Sequence, residues 1–447
     1  MKIMIALNHV PALIAFTLVS LTLLILTYNI LVDPTSHQLH PKLRALLLRA
    51  GAAQGHPSQA EAELPWLDST GRGDPNTAFS GSNFYQHQQR HEQQQQQQLF
   101  PRLWDESSMS GAPSWDGRSL QCSPNATVAH AVEDFASLSQ AVQDFLTHRH
   151  CRSFGLILQP DGSKCHSRPN VTLLLAIKSD ARNLERRDVI RRTWGREGSV
   201  RGRPVRRVFL VGVPSGEAPE RRVHLNALLQ EESREHGDIV QWNFLDTFFN
   251  LTLKQLLFLD WLHERCAGAR YVFDGDDDVF VNTPNLLERI AAEERAGRGD
   301  GHLYEGYVIS NVGPIRAPSS KYFVPVQVHA GDSYPPYVGG GGILMAGRTA
   351  LDIRRVAGQL AMLPIDDVFL GQCLAALGLA PTRHPAFRTA GISLPAPNRG
   401  AAKRAALVSS FHPCYYREVI LVHRVEPFQT LIMWAALRDP RLRCGRP

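Results

Sequence analysis

The stretch VTLLLAI at Val171–Ile177 constrains the fold more than any other part of this 447-residue chain. A strand with one wet face alternates apolar and polar residues. A nearly unbroken apolar run predicts a strand covered on both faces, at the centre of a parallel sheet. The next hundred residues agree with that placement. Leu184–Trp194 reads as a polar, arginine-rich helix, Val205–Val213 as a strand and Pro219–His236 as a helix. Asp238–Phe244 reads as a third strand, and Leu251–Cys266 as a helix with Leu253, Leu256, Leu257 and Trp261 on one stripe. Tyr271–Phe273 makes the next strand. This alternation predicts an α/β domain with a mostly parallel, Rossmann-like sheet flanked by helices, and a ligand site at the carboxyl ends of the strands.

At such an end lies YVFDGDDDVFVN, Tyr271–Asn282. Asp276, Asp277 and Asp278 follow the strand, with Gly275 easing the turn. In extended chain Asp276 and Asp278 face one way and Asp277 the other. Two carboxylates on one side, partly open to water, suit a hard divalent cation that also takes ligands from a diphosphate. A merely solvated acidic loop fits less well, because apolar residues flank the cluster on both sides. The spacing of an EF-hand is absent. A second pair, Asp366 and Asp367 in LPIDDVFLGQC, begins a helix after Pro364. Favourable charge at a helix N-terminus and acid–base chemistry both remain open for it. Between the two pairs, YPPYVGGGGILM (Tyr334–Met345) either makes a hairpin turn or lets backbone approach a ligand closely.

The remaining sequence sets the context. Residues 1–11 predict a cytoplasmic tail ahead of Ala12–Val32, twenty-one residues without a charge. At 1.5 Å per residue these span about 30 Å, enough for a membrane anchor and longer than a cleavable signal core. Residues 33–118, rich in Gln, Ser, Gly, Pro and His and holding QHQQRHEQQQQQQ, predict a flexible stem. Residues 119–165 predict a collar with a helix at Val132–Phe145, and 166–447 the α/β domain. The formal net charge is +6, with arginine spread through that domain rather than gathered in a run. That argues against nucleic acid and fits an anionic substrate. Seven cysteines without a CxxC pair predict up to three disulfides and one leftover thiol. Asn125, Asn170 and Asn250 stand in glycosylation triplets. Together these features predict a single-pass type II membrane protein with its bulk in the secretory lumen.

The ordered set RRDVIRRTWG, DTFFNLTLK, GDDDVFVN, KYFVP, YPPYVGGGG and PIDDVFLGQC resembles the Golgi β1,3-glycosyltransferases (glycosyltransferase family 31), from about Cys151 onward. Within them it is most similar to the β1,3-N-acetylglucosaminyltransferases, including those that extend poly-N-acetyllactosamine of the keratan-sulfate type. The resemblance implies a GT-A fold and an inverting transfer of N-acetylglucosamine from UDP-GlcNAc to the 3-hydroxyl of a terminal β-galactose. It implies Mn²⁺ held by Asp278, Asp276 and His423, with Asp367 as general base. Arg187, Arg191, Trp194, Asp276, Asp277, Asp278, Gly340 and Gly341 would line the nucleotide-sugar pocket. Implied partners are the nucleotide sugar, galactose-terminated glycans, the Golgi membrane, and homo- or hetero-oligomers with other glycosyltransferases. Two alternatives are a galactosyl or N-acetylgalactosaminyl donor on the same machinery, and a catalytically weak Golgi partner. Asp274 favours the second, because many relatives have lysine there.

Overall fold

The computed structural model describes residues 122–166, 171–389 and 413–444. The expected tail, anchor and stem, and Asn170, lie outside them. No described helix is long and apolar enough to cross a membrane.

Strands β1 (Leu156–Leu158), β2 (Leu173–Lys178), β3 (Gly198–Val200), β4 (Arg203–Pro214), β5 (Ile239–Asp246) and β6 (Tyr271–Asp276) belong to one nine-stranded sheet, with β8 (Tyr304–Ile309), β9 (Tyr337–Ala346) and β10 (Thr382–Arg383). Its order is β1-β5-β4-β2-β6-β9-β8-β10, with β3 alongside β4. The apolar run Val171–Ile177 takes the predicted place: β2 pairs in parallel with β4 on one side and β6 on the other. Leu173, Leu175 and Ile177 enter one core, and Leu174 and Ala176 the other. An apolar side chain moved fully from water contributes about 1.5–3 kcal/mol, so a two-faced strand is stabilising on both sides.

One face is covered by α4 (Leu184–Arg192), α5 (Pro219–His236) and α7 (Thr283–Arg295), the other by α6 (Leu251–Arg265), α8 (Gly347–Ala357) and α9 (Asp366–Ala376). The chain runs outward from β2 to β4 and β5, then returns to place β6 on the opposite side of β2. Between the carboxyl ends of β2 and β6 the direction of winding therefore reverses, and a crevice opens there.

Three expectations need correction. The sheet is mixed rather than mostly parallel, because β9 runs antiparallel to both β6 and β8, and β1 antiparallel to β5. Strand β6 continues through Asp276, so Asp274 and Gly275 lie within it and do not form a turn. The collar helix is broken into α1 (Thr127–Ala131), a 3₁₀ turn at Phe135–Ser137 and α2 (Gln140–His148). Asp134 is left-handed there (φ 53°), its carbonyl accepts from the Ser137 hydroxyl, and Ser139 is extended, so side-chain bonding competes with the helix. Disulfides join Cys122–Cys151, Cys165–Cys266 and Cys414–Cys444, leaving Cys373 as a buried thiol.

A second, three-stranded sheet has the order β11 (Phe387–Arg388), β12 (Leu421–His423), β7 (Val279–Val281). Phe280, Tyr416, Val422, Val425 and Met433 fill its own small core under α10 (Pro413–Glu418) and α11 (Pro427–Arg438). It brings the end of β12 back against the acidic turn between β6 and β7.

Candidate active site

A cavity of about 1090 Å³ opens at the reversal point, lined by the carboxyl ends of β2, β4, β5 and β6, the glycines of β9 and the first turn of α9. Its acidic floor divides as the alternation predicts. Asp276, Asp278 and His423 bring one ligand atom each to within 4.8 Å of one another, and His423 Nε2 lies 3.3 Å from Asp278 Oδ1. Two carboxylate oxygens and one imidazole nitrogen fit a divalent cation that keeps positions open for substrate oxygens. Burial alone would raise the Asp278 carboxyl, but His423 and Arg186 hold it below the usual range.

Asp277 turns the other way. Its Oδ2 accepts from the Ser179 hydroxyl (2.7 Å) and from Asn183 Nδ2 (2.9 Å), and burial pushes its pKa up to about 6. Asp277 therefore fastens the acidic turn to the loop after β2. Asp274 lies deeper still, 2% exposed in the middle of β6. Gln255 of α6 donates to it, and burial pushes its carboxyl up to about 6.

Lys178, the last residue of β2, spans the two acidic pairs. Its Nζ lies 2.6 Å from Asp366 and 3.3 Å from Asp276. Burial would lower its pKa, yet Asp276 and Asp366 raise it well above the ordinary value, so the side chain is a cation. Asp367, beside Asp366 in the first turn of α9, makes no hydrogen bond or ion pair among the described residues and lines the cavity. Burial first, and then the Asp366 charge, raise its pKa well above the usual carboxylate range. A Cβ added at Gly339 would lie 3.4 Å from Asp367 Oδ2. The glycine run is thus a strand and not a hairpin, and its lack of side chains clears the space in front of this carboxylate. Gly340 and Gly341 have φ of 89° and 88°, and a Cβ on Gly341 would come within 2.9 Å of the His423 ring.

Arg187, Arg191 and Trp194 do not line the cavity. The guanidinium of Arg187 is fully buried. It binds Glu232 through Nε and Nη2 (2.8 and 2.7 Å), Ser179 Oγ at 3.0 Å, the Ala181 carbonyl at 3.1 Å and the Asp180 carbonyl. Arg191 joins Glu232 to Asp238. Burial would raise Asp238, but Arg191 and Arg207 outweigh it and hold its pKa at about 2. Trp194 packs edge-on against Phe273 in the core. The motif RRDVIRRTWG therefore shapes the Ser179–Ala181 loop from behind. The glycosylation triplets also separate: Asn125 is exposed, whereas Asn250 Nδ2 donates to the Leu245 carbonyl and Thr252 is buried on the Leu363 carbonyl. Asn250 is thus turned inward, and a glycan there would cost that hydrogen bond.

Several site residues were not anticipated. Lys254 is buried between Asp246 Oδ2 and the Ser179 carbonyl, 2.8 Å from each, so DTFFNLTLK holds the same loop from below. Lys178 had one available signal, since a charge directly after VTLLLAI parallels the acidic cluster after β6. Arg182, Phe248, Lys321, Tyr322, Tyr337 and Arg424 also line the cavity.

Residues 185–385 match the Galactosyltransferase family. The human acetylgalactosaminyl-O-glycosyl-glycoprotein β-1,3-N-acetylglucosaminyltransferase is 48% identical over 73% of this chain and 81% of its own length. Human N-acetyllactosaminide β-1,3-N-acetylglucosaminyltransferase 3 is 50% identical over 70% of this chain and 79% of its own. The rat UDP-GlcNAc:betaGal β-1,3-N-acetylglucosaminyltransferase 7 is 41% identical over 72% and 78%. Likeness of this depth over about three quarters of the chain makes it a member of the Galactosyltransferase family of hexosyltransferases.

Proposed function

We propose that the chain is an inverting GT-A β1,3-N-acetylglucosaminyltransferase, moving N-acetylglucosamine from UDP-GlcNAc to the 3-hydroxyl of a terminal β-galactose on glycoprotein or glycolipid glycans. The observation that carries this reading is Asp367, an unpartnered carboxylate of raised pKa in the same cavity as Asp276, Asp278 and His423.

Asp276, Asp278 and His423 would hold Mn²⁺, which when bound neutralises charge on the diphosphate. Ser179, Asp180 and Asn183, fixed by Arg187, Lys254 and Asp277, shape the nucleotide end of the cavity. Lys178 satisfies Asp366 and so leaves its neighbour free to act. A carboxylate of raised pKa is the stronger proton acceptor. Asp367 takes the proton of the acceptor hydroxyl as that oxygen bonds to the anomeric carbon. The bond from that carbon to the diphosphate oxygen breaks on the opposite face, its electron pair leaving with UDP, and an α-linked donor gives a β product. Phe248, Tyr322 and Tyr337, which also line the cavity, offer flat apolar faces for the acceptor sugar.

We further place the catalytic part in the Golgi lumen behind a type II anchor, supported by the uncharged run Ala12–Val32 and by three disulfides. The test is product analysis of the full chain with Mn²⁺, a β-galactoside acceptor and UDP-GlcNAc, UDP-Gal or UDP-GalNAc in turn. A β1,3-linked N-acetylglucosamine product is expected, and preference for UDP-Gal overturns the donor assignment.

A further inference from the structure

The pairing of β12 with β7 changes step at the residue after His423. Leu421, Val422 and His423 face Val281, Phe280 and Val279 in register. The Val425 amide then donates to the Asp278 carbonyl at 2.8 Å, so Arg424 and Val425 together stand opposite one partner residue. Arg424 itself is left-handed, with φ of 61°. This is a β-bulge with arginine where glycine ordinarily sits, and bulges of this kind re-aim a side chain. The side chain re-aimed here lines the cavity beside Asp278, His423 and Gly341.

Charge says what that side chain faces. Seven carboxylates and five cations line the cavity, an excess of negative charge in a place that must accept an anion. Lys178 is held by Asp276 and Asp366, Arg182 by Asp180 and Glu217, and Lys254 by Asp246. Lys321 lies over the rings of Tyr322 and Phe248, 4.7 and 5.8 Å from their centres. Arg424 makes no ion pair, hydrogen bond or ring contact among the described residues. An uncommon backbone conformation that persists at a cavity edge is itself a sign of function.

We propose that Arg424 is a diphosphate-binding residue: its guanidinium takes the sugar-bearing phosphate of the donor and holds it as the bond to the sugar breaks. This rests on the reading that the cavity binds a nucleoside diphosphate sugar. Arginine suits the task, since its planar donors match two phosphate oxygens at once. The bulge presents them directly after His423, in the strand that carries one member of the candidate metal-ligand set.

The backbone conformation supplies an unusual test. Arg424→Gly removes the guanidinium but fits the left-handed position better, and Arg424→Asn tolerates that position while lacking charge. The full chain and both variants are compared by thermal unfolding and by calorimetric titration with UDP, and with uridine, at saturating Mn²⁺. Expected are a Tm for Arg424→Gly at or above wild type and UDP binding weaker by about tenfold in both variants, with uridine binding unchanged. Arg424→Lys recovers part of the loss. UDP affinity within twofold of wild type in Arg424→Gly and Arg424→Asn overturns the assignment to Arg424 alone. Failure of the wild-type chain to bind UDP overturns the donor reading, and this inference with it.

Discussion

Replacing Arg187 with methionine keeps most of the side-chain volume and removes a buried cation with five acceptors. Two are Glu232 oxygens; the others are Ser179 Oγ and the carbonyls of Asp180 and Ala181. Removing one partner of a buried ion pair costs about 3–5 kcal/mol, largely because the other charge is stranded. Here the stranding is incomplete, since Arg191 Nη1 stays 2.6 Å from Glu232. The lower end, about 3 kcal/mol, is therefore expected, corresponding to a fall in Tm of about 6 °C in a domain of this size. The loop released lines the proposed nucleotide end of the cavity, so UDP affinity should weaken in the same variant although Arg187 itself does not line the cavity. Thermal unfolding and UDP titration on one preparation measure both. A fall below about 2 °C with unchanged UDP affinity would refute the claim that this guanidinium carries the loop.

Asp367→Asn is expected to lower kcat by about 10²–10⁴ while UDP affinity stays near wild type, and near-normal turnover removes Asp367 from the mechanism. Asp274→Asn should stabilise the chain at neutral pH. The folded pKa of Asp274, about 6, lies above the unfolded value near 4, so its penalty is absent below pH 4 and grows through pH 4–6 to about 2–3 kcal/mol. A gain in Tm at pH 7.5 that vanishes at pH 4 is expected, and a loss at pH 7.5 counts against the assignment. Cys373, whose thiol burial pushes up to about 12, should resist iodoacetamide in the native chain and react once urea unfolds it. Rapid native alkylation would contradict its burial.

What could be read in advance was whatever repeats along the chain. The helix Pro219–His236 was legible to its ends because Pro219 opens it and Gly237 closes it in the left-handed region. Strand β2 was legible because both of its faces are apolar. Strand β9 was not, since its four consecutive glycines carry no pattern and their meaning depends on Asp367, Thr389 and His423 lying opposite. The acidic pair Asp276 and Asp278 is local and follows from alternation. His423 joins it only through pairing of β12 with β7, and was reached by resemblance alone. Arg187 and Arg191 were assigned to the nucleotide pocket by resemblance, but the anions they serve are Glu232 and Asp238, invisible until the fold brings them under α4.

The order in which the chain supplies Asp276, Asp278 and His423 has a consequence for biosynthesis. Asp276 ends β6 and Asp278 follows in the turn, but His423 arrives on a strand added after every strand of the large sheet is complete. A growing polypeptide therefore owns two of these three side chains long before it owns the third. The segment that delivers the third is itself closed by the Cys414–Cys444 disulfide. Assembly of the Asp276, Asp278 and His423 group is thus a late event, and a chain stalled before that stage would carry an almost whole fold around an unfinished site.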